Sequence, residues 1–168
     1  MTTLDITAAP HGIGFWTQVH DGGVNLRLAT DSVQRIDAAQ RTVSDIIAKG
    51  GAVYGINTGS GRLAGKIILA KDMLALQRNL VISHAIGSGL PLSDGETRLV
   101  LAMKIAALAQ GYSGVRVELV ELMIEMFNRA LLPVIPSQGS VGASGDLTPL
   151  SHVAAAMIGV GHIRVNGE

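Results

Sequence analysis

The chain has 168 residues, 13 Lys+Arg against 13 Asp+Glu, no cysteine, 48% hydrophobic residues and 3% aromatics. A chain this long buries roughly 70% of the surface it exposes when unfolded, so a single domain over residues 1–168 needs no disulfide or metal staple. The lack of thiols excludes zinc knuckles, cysteine nucleophiles and iron–sulfur clusters and makes a reducing cytoplasm the expected compartment, and zero net charge argues against nucleic-acid or membrane partners.

Met1 to Pro10 carries Asp5 and no early cation, unlike a secretory signal. Val33, Ile36, Val43, Ile46 and Ile47 then recur at helical spacing, with Thr30 or Asp31 as N-cap and Gly50-Gly51 as the stop. Gly51 to Ile56 reads as a strand. Asp72 to about Ala85 is helical, with Met73, Leu76, Leu80 and Val81 on one side, and Gly87, Gly89 and Pro91 end it. Ser93-Asp94-Gly95-Glu96 has the form of a capping box, followed by an apolar run to Ala109. That run is interrupted by Lys104 and falls far short of the roughly 20 residues a bilayer demands. Gly111 to Gly114 breaks the helix, Val115 to Leu132 forms the next, and Pro133 and Pro136 close it. A last helix begins near Asp146 with Pro149 in its first turn and Leu150 to Ile158 as its body. His162 to Val165 is strand-like, and the Asn166-Gly167 turn signal just before Glu168 reads as a truncation. The expected fold is mainly α with a small β-sheet.

Glycine concentrates in two segments, Gly50 to Gly65 and Gly139 to Gly145. The first fails both phosphate-loop templates. A Walker loop ending at Gly65-Lys66 requires glycine where Ser60 stands and Ser or Thr where Ile67 stands, and the dinucleotide fingerprint is missed because its third glycine comes one position late. Tyr54, Asn57 and Thr58 instead set a phenol, an amide and a hydroxyl among glycines, a composition suited to close approach by a small molecule. In the second segment Asp146 replaces the glycine a nucleophile elbow requires, which disfavours a serine hydrolase. Ala143-Ser144-Gly145 permits another reaction, attack of the Gly145 amide nitrogen on the Ala143 carbonyl carbon. Two dehydrations then leave a conjugated, electrophilic ring, and the unhindered, conformationally free glycine suits that attack.

Three motifs, Tyr54-Gly55-Ile56-Asn57-Thr58-Gly59, Asn79-Leu80-Val81-Ile82-Ser83-His84 and Gly142-Ala143-Ser144-Gly145-Asp146-Leu147, together resemble the aromatic amino-acid ammonia-lyase family. The resemblance runs from the helix around Val33 to Gly167 and includes Gly111 to Arg116. It implies the N-terminal domain of the L-aspartase-like, or ammonia-lyase, fold. It also implies that Ala143, Ser144 and Gly145 become 4-methylideneimidazole-5-one, supported by Gly142 and Asp146, with no external cofactor and no metal. Tyr54 is implied as the base that removes a β-proton, and His84, Ser83 and Asn57 as substrate-binding residues. Ser83-His84 resembles the histidine-deaminating members rather than the phenylalanine-deaminating ones, which implies conversion of L-histidine to trans-urocanate and ammonia. Asn57 and Thr58 are also expected to shape the Tyr54 loop, and Asp146 to cap its helix and steer cyclisation.

Family enzymes are much longer, homo-oligomeric and tetrameric when complete. The resemblance therefore covers an electrophile-bearing portion without the C-terminal helical bundle, which would place the carboxylate-binding arginine beyond Glu168 and leave the isolated chain inactive. Ser60 departs from the Phe common in the family. Alternatives are a non-catalytic domain of this fold, a phenylalanine or tyrosine ammonia-lyase, and an aminomutase. His11, His20, His152 and His162 show no metal-ligand spacing, and structural or solvent roles are expected for them.

Overall fold

The computed structural model describes residues 1–59, 65–142 and 145–165. Ser60, Ala143, Ser144 and the Asn166-Gly167 turn lie outside the described residues.

The chain opens with an element the sequence reading did not assign. Strands β1 (Thr2–Ile6) and β2 (Val24–Leu28) pair in parallel from Thr2↔Val24 to Ile6↔Leu28, joined by helix α1 (Ile13–Asp21). Strands of five residues give too short an alternation to stand out locally. Their pairing is completed from far along the chain. The Asn128 amide accepts from Leu26 N–H at 2.7 Å and donates to Leu26 C=O at 3.0 Å, standing in for another strand on β2.

Helix α2 (Thr30–Ala48) follows directly. Its N-cap position is Ala29, not Thr30 or Asp31, because the Ala29 N–H bonds back to Ile6 C=O and carries the β pairing up to the helix. Asp31 sits in the first turn, where its charge complements the helix dipole. The strand expected over Gly51 to Ile56 is a turn. Asn57 folds the segment on itself, and the N–H groups of Ile56 and Asn57 both bond to Val53 C=O.

Helix α3 (Ala70–His84) leads to β3 (Ser88–Pro91), and α4 (Asp94–Ala109) begins with the expected capping box. Ser93 Oγ accepts from Glu96 N–H at 3.3 Å, and Glu96 Oε2 accepts from Ser93 N–H at 2.7 Å. Helix α5 (Val117–Asn128) stops four residues short of Leu132, and not at a proline. Ala130 turns into the left-handed region at φ 52°, and β4 (Leu131–Pro133) follows. β5 (Pro136–Gln138) pairs antiparallel with β3, and β6 (Ile163–Val165) pairs antiparallel with β4. The expected single sheet is therefore three separate two-stranded ones among the described residues. Helix α6 (Leu147–Met157) starts where expected.

The core is organised around α4. Leu101, Ala102, Ile105 and Ala109 are completely buried among Val19 of α1, Ile36 of α2 and Val120 and Phe127 of α5. Arg164 of β6 clips the C-terminal strand to the start of α4, bonding Leu92 C=O at 3.0 Å and Asp94 at 2.8 Å. No helix of the described residues is long and apolar enough to cross a membrane.

Candidate active site

Helix α3 is the rail on which the candidate residues are hung. At its start stands the Tyr54 loop, closed by one side chain. Asn57 Oδ1 accepts from Val53 N–H at 2.7 Å and its Nδ2 donates to Gly51 C=O at 2.8 Å. Asn57 is buried and both ends of its amide are occupied, which fits a loop-shaping role better than direct substrate contact. Thr58 is buried beside it, donating to Gly59 C=O at 3.1 Å and bridging to Ile67. Gly55 supplies the positive φ, 74°, that the turn requires. Tyr54 is thereby presented outward, 67% exposed. Gln77 of α3 holds the loop from below, its amide donating to Ile56 C=O at 3.3 Å.

Seven residues after Gln77, His84 ends the helix. Seven residues advance the helix by about 10 Å and return to nearly the same face, so the Tyr54 loop and His84 share one stripe of α3. His84 Nδ1 lies 2.7 Å from Leu80 C=O, a contact in which nitrogen must donate, so Nε2 is left as a hydrogen-bond acceptor. Ser83 is exposed, with its hydroxyl donating to Leu80 C=O at 3.1 Å and lying 3.3 Å from His84 Nδ1.

The second glycine-rich segment reaches the same end of α3. A Cβ added at Gly139 would sit 3.1 Å from Gly87 Cα and 2.7 Å from Thr148, so close approach requires glycine there. His84 is three residues from Gly87, at most about 11 Å of chain. Gly142 and Gly145 both have positive φ, 60° and 121°, and a Cβ on either would meet open space, so their demand is conformational rather than steric. Asp146 occupies the N-cap position of α6 without a side-chain cap. Its carboxylate instead accepts from Ser140 Oγ at 2.6 Å, closing a loop over the segment between them. The expected cap is thus replaced by a clamp. Ser140 escaped the sequence reading because a hydroxyl six positions before an acid matches no local turn or cap spacing.

Two polar side chains, Gln77 and Ser140, hold the site with no signal in the sequence, whereas His152 takes a structural role of the kind expected for it. His152 of α6 accepts from the Gly87 N–H at 3.0 Å, and burial pushes its pKa below the ordinary histidine value. His11 stacks on Phe15 with ring centroids 4.2 Å apart, and His20 bonds Asp21 at 3.0 Å. No hydrogen bond joins the Tyr54 loop to Ser83, His84 or the 137–146 segment among the described residues, and none of these gathers three acidic or histidine ligands for a metal.

Residues 13–168 match the family described as aromatic amino acid lyase. The chain belongs to that family. It is 49% identical over 145 residues to the histidine ammonia-lyase of Burkholderia multivorans, covering 86% of this chain and 29% of that protein. Among solved structures it is similar to ergothionase from Treponema denticola, with a TM-score of 0.94 at 29% identity over 99% of this chain and 33% of that one. It is also similar to histidine ammonia-lyase from Trypanosoma cruzi, with a TM-score of 0.87 at 33% identity over 99% of this chain and 31% of that one. This aromatic amino acid lyase chain therefore spans about a third of the length of the relatives it matches, and it has the mainly helical fold of their N-terminal part.

Proposed function

We propose that the chain is the electrophile-bearing portion of a longer, cytoplasmic, homo-oligomeric enzyme that deaminates L-histidine non-oxidatively to trans-urocanate and ammonia. The observation that carries this reading is one stripe of α3 holding the Tyr54 loop and a histidine whose Nδ1 is engaged by Leu80 and whose Nε2 has no partner among the described residues, in a chain 49% identical to a histidine ammonia-lyase.

The residues fit the self-derived ring. Gly145 offers an amide nitrogen with no neighbouring Cβ, in a backbone conformation at φ 121° that favours glycine, and the Ser140–Asp146 clamp draws the ends of the loop together. Attack of that nitrogen on the Ala143 carbonyl carbon forms the new C–N bond and loses the carbonyl oxygen as water. A second water carries off the Ser144 hydroxyl with its α-hydrogen. The resulting 4-methylideneimidazole-5-one supplies an electrophilic carbon that makes the substrate's amino group a leaving group, without metal or external cofactor. His84 Nε2 accepts an N–H from the substrate imidazole, its ring held by Leu80 C=O. Ser83 fixes that helix end, and exposed Tyr54 takes the β-proton at its phenol oxygen.

The test is the intact mass of the purified chain beside its Ser144→Ala variant. Loss of two waters confined to the parent supports ring formation by these residues. Unmodified masses in both overturn cyclisation within this chain.

A further inference from the structure

We infer that His152 is a positioning residue of the substrate site, a neutral-imidazole latch that fixes Gly87 and, through it, the end of α3 presenting His84. This rests on the assignment of His84 to substrate binding. The geometry is a node of three elements. Gly87 lies between α3 and β3, Gly139 just beyond β5, and Thr148 and His152 on α6. The node leaves no slack. A Cβ at Gly87 would lie 3.1 Å from His152 Nε2, 3.2 Å from Gln138 C=O and 3.2 Å from Pro136 Cβ. The Gly87 N–H points at His152 Nε2 at 3.0 Å, in a half-buried setting.

An N–H donor requires a lone pair on its partner. Nε2 is therefore unprotonated, and the ring's proton resides on Nδ1. An imidazolium would set two donors against each other, so protonation opens the latch. Helix α3 packs on α6 along this side, yet has no fully buried residue from Lys71 to His84, so apolar packing alone holds its end loosely. A single directed bond then does the aligning. Few charges compete for the ring. The ionisable groups on the surrounding elements are His84 and Arg78 on α3, with Lys71 and Asp72 at its opposite end, Asp146 at the head of α6, and Lys104 on α4 across a small apolar cavity on another face of α6. β3 and β5 bring none.

The experiment is an NMR titration of the 15N-labelled full chain, reading Gly87 amide protection, the His84 backbone amide signal and the ring signals of His152, with the His152→Gln and His152→Leu variants alongside. In the parent, Gly87 protection falls about tenfold as His152 protonates, the loss expected for one hydrogen bond. The His84 backbone amide signal moves with the same midpoint. Gln offers a carbonyl oxygen that cannot protonate in this range, so His152→Gln restores protection and abolishes the pH step. His152→Leu leaves Gly87 unprotected at every pH. Gly87 protection that ignores His152 protonation overturns the latch, and this parent titration decides it even where a variant misfolds. A His84 amide signal that stays fixed while Gly87 protection collapses overturns the positioning role. Neither result touches the ring-forming reading, which the mass of Ser144→Ala reports separately.

Discussion

Helices α4 and α3 are of similar length, 16 and 15 residues, and are held in opposite ways. α4 is wrapped, with Leu101, Ala102, Ile105 and Ala109 at 0% exposure. α3 leaves Leu74 at 82% and Ile82 at 43% exposure, and what fixes it is a set of single polar bonds: Gln77 to the Tyr54 loop, and His152 to Gly87 just past its end. The framework is built by area, which is non-directional and additive. The candidate site is built by directed hydrogen bonds, which set orientation at modest net stability. α3 thus obtains order without burial, which suits the substrate-facing role proposed for it.

The sharpest way to break this comparison is truncation in each helix. Ile105→Ala should cost about 2–5 kcal/mol of unfolding free energy in a denaturant titration, through lost transfer energy and a cavity. Leu74→Ala should stay within about 0.5 kcal/mol, as for an exposed position. Equal losses would show that α3 belongs to the same packed unit as α4.

Glycine substitutions make a second, smaller contrast. At Gly114 φ is +66° and a Cβ would lie 2.4 Å from Val43, so Gly114→Ala carries both strain and overpacking, about 2–4 kcal/mol together. Gly142 has a similar φ, +60°, but an added Cβ meets nothing. Gly142→Ala should cost only the left-handed penalty, about 1–2 kcal/mol, in the same denaturant titration.

These contrasts follow what was legible in the sequence. The helices around the core could be read because apolar periodicity and the Ser93–Glu96 box are local signals. β1 and β2 could not, since their edge is completed by Asn128, 102 residues from Leu26. Among the candidate residues, Tyr54, His84 and the Gly142 to Asp146 segment carried motifs. The groups that hold them did not: Gln77 acts over 21 residues and His152 over 65, distances at which no pattern in the chain marks the partner. The same blindness put a strand at Gly51 to Ile56, where an amide four positions from Val53 closes a turn.

Two N-cap positions give a third test. Ser93→Ala removes a working cap and should cost about 0.5–2 kcal/mol. Asp146 makes no cap bond, so Asp146→Ala should take from α6 only its charge interaction with the helix end, about 0.3–1 kcal/mol. A larger thermal shift for Asp146→Ala than for Ser93→Ala would mean that the Ser140 clamp carries structural weight beyond its loop.

The effect of acid is local, and the group on which it acts discriminates between the two regions. His152 is held neutral by burial, so its folded-state pKa lies below the unfolded value of about 6.5, and the unfolded chain binds more protons where the two differ. Its contribution to stability is complete above about pH 6.5 and is lost as pH falls towards the folded value. Glu96 behaves differently. Its hydrogen bonds from Ser93 hold its carboxyl below the usual range, so that contribution persists at mildly acidic pH and fades only as the carboxylate itself protonates. Protonation of His152 opens the latch on Gly87 and leaves the Ser93–Glu96 capping box of α4 untouched, because the two rest on different groups. Hydrogen exchange followed downward from about pH 6.5 should therefore show protection at Gly87 falling as His152 protonates, with protection at Leu101 and Ile105 unchanged across that step. Loss in both places at once would mean that the polar bonds of the α3 end and the apolar core of α4 form one cooperative unit.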